Sequence, residues 1–171
     1  MTVHEKTTYP MLVWSTLLLL IVLVFATGNL DASDKTQESA MRLKSGYSYS
    51  DSMDRIKGAL QSSGFRIFAT IDHQAAARDV GLDMPPTTVL IYGNPKGGTP
   101  LMLAAPDFAL ELPLRVLVRQ DNDGETFVTL NSSSDLEGKH GLPTGMAAKL
   151  APAEMIIAGA IAAPNMRTQA R

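Results

Sequence analysis

The feature that constrains this chain most is an apolar segment near its N-terminus, where no charged side chain lies between Lys6 and Asp31. Residues 11–26 read MLVWSTLLLLIVLVFA, and leucine and valine would cover every face of a helix built from them. Together with residues 27–30, the segment approaches the roughly 20 residues that cross the hydrocarbon of a bilayer. We therefore predict a membrane contact through residues 11–30 and disfavour a helix buried in a soluble fold.

The fate of this segment has two interpretations, a retained transmembrane anchor or a cleaved signal peptide, because its length lies between the values typical of each. Small residues at Val24 and Ala26 suit cleavage after Ala26, and a cut after Ala32 also fits. Lys6 precedes the segment and Asp31 follows it, which favours a cytoplasmic N-terminus. The globular part is then expected outside the cytoplasm, on the cell membrane or, after cleavage, periplasmic or secreted.

The rest of the chain has the composition expected of a single globular domain. The sequence is 45% hydrophobic and 19% charged with a net charge of -2, which excludes disorder and argues against a nucleic-acid partner. The absence of cysteine excludes disulfides, thiolate metal sites and a cysteine nucleophile. We predict a solvated tether at residues 31–40, one domain at residues 41–163 and a C-terminal tail at residues 164–171.

The apolar periodicity of the domain predicts an α+β fold, with a mainly antiparallel sheet packed by helices on one side. Strands are predicted at residues 41–49, 65–71, 87–92, 114–120 and 125–131, the last two forming a hairpin. The strand at residues 87–92 reads TTVLIY, which indicates cover on both faces. Helices are predicted from a Ser48 cap to residue 63, at residues 74–80, from Pro100, at residues 132–139 and at residues 145–163 with a bend at Pro152.

Several short motifs follow one another with characteristic spacing: Gly64-Phe65, Ile71-Asp72-His73, the run from Tyr92 to Met102, Leu112-Pro113-Leu114 and His140-Gly141-Leu142. In this order they resemble the family called domain of unknown function 302, over about residues 41–160. The resemblance implies a compact α+β domain similar to the TATA-binding protein, and a homodimer. It implies no established reaction. Pro152 departs from the uninterrupted C-terminal helix that the family leads us to expect.

The run from Gly93 to Pro100 predicts a candidate anion site at a helix start, with Thr99 as the cap and Pro100 as the first helical residue. Free backbone N–H groups beside Lys96 would attract a phosphate, sulfate or carboxylate. The alternative is a tight turn with a solvated lysine, and the residue order favours it because it is not that of a P-loop. The candidate residues for a small anionic ligand are Asn94, Lys96, Gly97, Gly98 and Thr99, with His73 and His140.

The histidines define a second candidate site. If the segments carrying Asp72, His73 and His140 meet, they could form a metal site with two histidines and one carboxylate, or supply a general base. Adjacent strand residues point to opposite faces, so Asp72 and His73 serve one centre only if the strand has ended. Helix capping or an ordinary hydrogen bond is the commoner role for such residues, and we predict no cofactor.

Other catalytic patterns are incomplete. No serine lies in a G-x-S-x-G turn, and Ser132 to Ser134 precede Asp135 in a pattern typical of a helix cap. The nine methionines form no Met-x-Met cluster, so we assign them to the core. We therefore predict a non-catalytic module that binds a small ligand or a protein. The alternatives are a histidine-dependent or metal-assisted hydrolase and a dimeric interaction module of an envelope complex.

Overall fold

A computed structural model describes residues 40–163, so the predicted membrane segment, nearly all of the tether and the C-terminal tail lie outside the described residues. These residues form an α+β domain in which helices pack on a five-stranded antiparallel sheet of order β1-β5-β4-β3-β2. The strands are β1 (Ala40–Lys44), β2 (Arg66–Asp72), β3 (Thr87–Gly93), β4 (Leu114–Gln120) and β5 (Thr126–Asn131). The helices are α1 (Tyr49–Ser62), α2 (His73–Asp79), α3 (Pro95–Ala104) and α4 (Ala151–Ile161), with short 3-10 helices at Pro106–Glu111, Ser133–Leu136, Lys139–Gly141 and Ala147–Leu150. The predicted fold class is confirmed for this part of the chain.

Strands β4 and β5 form the predicted hairpin. In its turn, Oδ1 of Asp121 accepts hydrogen bonds from the backbone N–H groups of Asp123 at 3.0 Å and Glu125 at 2.8 Å. Val116 lies opposite Leu130 and Val118 opposite Val128, and all four side chains are buried. The register therefore follows the alternation of apolar and polar residues, since a shift by one residue would expose the whole apolar set.

The main core lies between one face of the sheet and the helices α1 and α4. Helix α1 begins at the predicted Ser48 cap, whose hydroxyl accepts a hydrogen bond from the N–H of Asp51 at 3.1 Å. The two helices and the sheet share one cluster of buried side chains: Met53, Ile56 and Leu60 from α1, Ala153, Ile157 and Ile161 from α4, and Leu90, Tyr92, Val116, Val118, Val128 and Leu130 from the sheet. Each large apolar side chain buried there stabilises the fold by about 1.5–3 kcal/mol.

The opposite face of the sheet, called the open face below, carries the alternate residues of the same strands. It consists of Arg42, Lys44, Ile71, Val89, Ile91, Arg115, Leu117, Arg119, Phe127 and Thr129, which are half-buried or exposed. Buried and half-buried residues alternate along β3, so the predicted cover on both faces of residues 87–92 is wrong. The reason is that α1 and α4 pack against the other side of the sheet.

Several predicted elements have different bounds. The helix predicted at residues 132–139 is replaced by the 3-10 helices Ser133–Leu136 and Lys139–Gly141. β1 ends at Lys44 rather than at residue 49, and the backbone N–H of Gly46 then donates to the carbonyl of Ile161 at 2.9 Å. The predicted helix at residues 145–163 consists of the 3-10 helix Ala147–Leu150 followed by α4. Pro152 lies in the first turn of α4, where its missing N–H would have no partner within the helix, so the helix restarts instead of bending. None of the helices within residues 40–163 is long and apolar enough to span a bilayer.

Candidate functional site

A cavity of about 430 Å³ opens where β3 ends, β4 begins and the first turns of α3 and α4 approach one another. Small-molecule sites in proteins commonly enclose about 300–1,000 Å³, so the cavity is large enough for a small ligand. Most of its wall is apolar, and the largest apolar side chains that line it are Phe65, Phe68, Met102, Leu112, Leu114, Leu150 and Ile156.

Two glycines in the lining allow wall side chains to approach the backbone closely. A Cβ atom on Gly93 would lie 3.2 Å from Cε2 of Phe68, and one on Gly98 would lie 3.3 Å from Cδ1 of Leu112. Both distances are shorter than an ordinary contact, so a side chain at either position would push a neighbouring wall residue. The shape of the cavity therefore depends on glycine at both positions, because a residue without a Cβ lets the Phe68 and Leu112 side chains lie this close to the backbone.

The polar part of the lining is small and carries one kind of charge. It consists of Ser63, Asn94, Thr99 and Lys149. Lys149 is the ionisable side chain of this lining, it is exposed, and the ion pairs found within residues 40–163 do not include it. An anionic group at the rim would therefore meet a cation that no carboxylate of the described domain already neutralises.

The predicted loop at residues 93–100 is mostly the beginning of α3. The helix starts at Pro95 after an Asn94 cap, so the prediction of a Thr99 cap and a start at Pro100 is wrong. Oδ1 of Asn94 accepts from the N–H of Lys96 at 3.0 Å, while the Asn94 carbonyl accepts from Gly97 at 3.0 Å and Gly98 at 2.9 Å. The first amides of the helix are thus bonded within the chain and do not offer the free donors that an anion site requires.

The structure places only some of the predicted ligand residues in the cavity lining. Asn94, Gly97, Gly98 and Thr99 line the cavity, whereas Lys96 is exposed and does not belong to the lining. Lys149, which comes from the 3-10 helix before α4, was not among the predicted ligand residues. A local signal could have shown the true start of α3, since asparagine followed by proline is a common helix beginning. No local signal points to Lys149.

The structure does not bring His73 and His140 together. Oδ1 of Asp72 caps α2 by accepting from the N–H of Ala75 at 2.9 Å, and the exposed His73 is the first residue of that helix. Asp72 pairs with Thr88 and Thr88 with Val118, which places His73 near the end of β4.

His140 lies at the other end of β4. Its Nε2 atom is 3.0 Å from Oε1 of Glu111, a residue that precedes the first residue of β4. A strand of this length spans about 20 Å, which separates the two histidines too far for a shared site. Within residues 40–163 no group of three His, Asp or Glu side chains is arranged to hold a metal ion, so the alternative site at Asp72, His73 and His140 has no supporting geometry.

Other candidate residues have structural partners. Glu111 contacts both His140 and, at 3.6 Å, the ammonium of Lys139, which joins two 3-10 helices. Ser132 and Asp135 form a reciprocal capping box at the 3-10 helix Ser133–Leu136, as the serine pattern predicted. The predicted homodimer stays a prediction, and the predicted membrane partner at residues 11–30 falls outside the described part of the chain.

Comparison with curated proteins finds similarity to part of several fluoride-specific ion channels. The chain is 35% identical over 100 residues to fluoride-specific ion channel FluC 1 of Brucella suis biovar 1 (strain 1330) and to FluC 1 of Brucella abortus biovar 1 (strain 9-941). FluC 2 of Brucella melitensis biotype 1 (strain ATCC 23456 / CCUG 17765 / NCTC 10094 / 16M) has the same identity. The matched region is 58% of this chain but only 37% to 39% of those proteins. This chain thus spans about two fifths of the length of the curated relatives it matches.

Two further comparisons concern the domain itself. A crystal structure of the uncharacterized conserved protein DUF302 from Bacillus stearothermophilus superposes with a TM-score of 0.62 at 19% identity, covering 72% of this chain and 95% of that one. This likeness shows a shared fold. The sequence profile of the domain of unknown function DUF302 matches residues 41–162, which is most of the chain. The chain therefore belongs to the DUF302 family.

Proposed function

We propose that the domain is a non-catalytic binding module for a small amphiphilic molecule with an apolar body and one anionic group. The observation that carries this proposal is the cavity of about 430 Å³, with its apolar walls and a single ionisable lining residue, Lys149. A ligand of this class would place its apolar body between α3 and the sheet and its charged end at the rim.

The apolar walls would supply most of the binding free energy. Removing apolar surface from water contributes about 25 cal/mol per Å², and most of the lining residues are apolar. An exposed ion pair adds only about 0–1 kcal/mol, so Lys149 would select the charge of the ligand more than it strengthens binding.

The lining does not favour a reaction. It includes neither histidine nor carboxylate, and its ionisable residue among those described, Lys149, is an exposed lysine. Ser63 is the serine of the lining, and a serine nucleophile needs a base within hydrogen-bond reach. His73 and His140 lie elsewhere, at the start of α2 and beside Glu111. Binding without chemistry is the function that this arrangement supports.

Calorimetric titration of residues 31–171 with octanoate tests the proposal. Met102→Trp would fill the cavity, whereas Leu103→Trp, one residue along α3, changes a side chain that is 79% exposed and outside the lining. We expect the unmodified chain and Leu103→Trp to bind octanoate, and Met102→Trp to lose binding while its thermal unfolding stays cooperative. Equal binding by the two tryptophan variants would contradict a site in this cavity.

A second candidate function is that of an accessory domain to membrane ion transport, and the 35% identity to part of the Brucella fluoride channels favours it. We expect deletion of the chain from its host to lower growth in medium containing fluoride and to leave growth in equal chloride unchanged. Identical growth of the deletion and parent strains in fluoride would remove this candidate.

A further inference from the structure

We propose that the open face of the sheet docks on an anionic phospholipid surface. Although the chain has a net charge of -2, four basic residues lie on this face: Arg42, Lys44, Arg115 and Arg119. Lys44 is paired with Glu125. The nearby carboxylate of Asp121 is occupied by backbone N–H groups in the hairpin turn. The three arginines are in none of the ion pairs found within residues 40–163.

An aromatic ring holds two of these arginines together. The Cζ atom of Arg42 lies 4.1 Å from the ring centroid of Phe127, and that of Arg119 lies 5.5 Å from the same centroid. Cation–π attraction fixes both guanidinium groups on the sheet but does not neutralise them. Two guanidinium groups near one ring create a positive electrostatic potential on this face. A phosphate group would neutralise part of this charge and accept charge-assisted hydrogen bonds from the arginines.

Apolar side chains lie between and beside the arginines. Val89, Ile91 and Leu117 are half-buried on the same face, and Ile71 at the β2 edge is 41% exposed. A phospholipid interface offers phosphates together with the upper part of the acyl chains, and proteins that lie on it combine basic and apolar side chains in this way. The open face therefore has both parts of the chemistry that such a surface recognises.

A lipid surface fits this face better than a second copy of the chain. A two-fold contact through the open face would bring the unpaired arginines of both copies together, which like-charge repulsion opposes. The sequence also places only residues 31–39 between the apolar segment and β1, the strand that carries Arg42. A tether of this length spans at most about 30 Å, so membrane targeting by residues 11–30 would keep the domain within reach of lipid.

The absence of cysteine allows a single dye to test this proposal in the full chain. Thr129→Cys places an environment-sensitive thiol dye on the open face, and Ser62→Cys places it at the exposed end of α1. The chain is reconstituted in vesicles of phosphatidylcholine alone or of phosphatidylcholine with phosphatidylglycerol. We expect a blue shift and protection from acrylamide only for the dye at residue 129, only with phosphatidylglycerol, and reversed by high salt.

Substitutions of single arginines test which side chains contact the anionic lipid. Arg42→Gln and Arg119→Gln should each lower the ratio of docked to free domain about fivefold, which is the loss expected for one basic side chain at an anionic membrane. Arg55→Gln is the matched control, because Arg55 also stacks on an aromatic ring, 3.7 Å from the Tyr47 centroid, but belongs to α1. Equal dye signals in the two kinds of vesicle, or an equal loss in Arg55→Gln, would overturn the proposal. Protection of residue 129 in phosphatidylcholine alone would overturn it too, since a second copy or another protein segment would then cover the face.

Discussion

At the level of single side chains, Lys149 and Lys96 carry the same charge near the same cavity but have different positions. Lys149 belongs to the lining, whereas Lys96 lies in the first turn of α3 and faces solvent. Because the field of an exposed charge falls off within about 8–10 Å at ordinary salt, only a lysine at the rim should affect a bound anion strongly.

We expect Lys149→Gln to weaken octanoate binding about two- to fivefold, corresponding to the ~0.5–1 kcal/mol of an exposed ion pair. Binding of the uncharged analogue octanol should not change. Lys96→Gln is the matched control and should bind both compounds like the unmodified chain. Calorimetry on the three proteins measures this, and a larger loss in Lys96→Gln would place the anion at the start of α3 instead.

The role of a residue could be predicted where its side chain forms a hydrogen bond with a residue a few positions away in the sequence. The caps at Ser48 and Ser132 follow from hydroxyl and carboxylate groups three residues apart, and the structure contains both. The capping role of Asp72, predicted as the commoner alternative to a metal site, is also present. The role of Lys149 could not be predicted, because the lining it shares with Asn94 and Phe65 is formed by segments far apart in the sequence.

At the level of elements, the beginning of α3 is the part on which the cavity depends most directly. Asn94 both lines the cavity and caps this helix through the N–H of Lys96 at 3.0 Å. Replacing the whole Asn94 side chain with the methyl group of alanine would leave the Lys96 N–H without this partner. Because Gly97 and Gly98 make the first turn intrinsically weak, the cap matters more here than in an alanine-rich helix.

We expect Asn94→Ala to lower the free energy of unfolding by about 1 kcal/mol, the usual loss for a helix cap. Asn94→Asp should keep the stability of the unmodified protein, since a carboxylate oxygen also accepts the Lys96 N–H and favours a helix N-terminus. Urea titration measures both, with Asn131→Ala at the exposed end of β5 as a control. If the aspartate variant is as unstable as the alanine variant, the cap is not what stabilises α3.

Elements with strong local signals were predicted well, and those with competing signals were not. The β4–β5 hairpin and α1 have both a clear period and a turn or cap, and both are present. In the run from Asn94 to Pro100, two prolines each offered a helix start, and the first of them is used. The 3-10 helix before α4 could not be predicted, because its residues also fit a continuous helix.

At the level of the whole molecule, the buried hydroxyl of Tyr92 makes the stability of the fold depend on pH. Its ring is 1% exposed and packs edge-on against Phe65, with centroids 5.8 Å apart. Burial raises the pKa of the Tyr92 hydroxyl well above its usual value, and the negative charge of Glu154 raises this pKa further. In the unfolded chain the same hydroxyl loses its proton near pH 10. Above that pH the unfolded state therefore binds fewer protons than the folded state, and stability falls as pH rises.

We expect Tyr92→Phe to remove this part of the alkaline destabilisation. Between about pH 9 and about pH 11, the unmodified domain should lose more free energy of unfolding than the variant, by at most about 1.4 kcal/mol per pH unit above pH 10. Denaturant titrations of both proteins at the two pH values provide the measurement. Parallel losses in the two proteins would mean that Tyr92 ionises as easily in the folded state as in the unfolded state.

The fold class could be predicted from the sequence, but the order of the strands could not. The alternation of apolar and polar residues along each strand shows which residues share a face, and this information lies within the strand itself. The pairing of β1 with β5, and of β3 with β4, joins segments far apart in the chain. The cavity depends on the same distant pairings, which is why its lining had no local signature.

The pairing of Ala40 with Asn131 also has a consequence for biosynthesis. Among the described strands, β1 lies at the edge of the sheet and pairs with β5 alone. A ribosome releases β1 long before it makes β5, so the nascent strand must wait with its N–H and C=O groups unpaired while most of the domain is still being translated. Shielding of residues 40–44 during this interval would lower the risk that the unpaired strand aggregates.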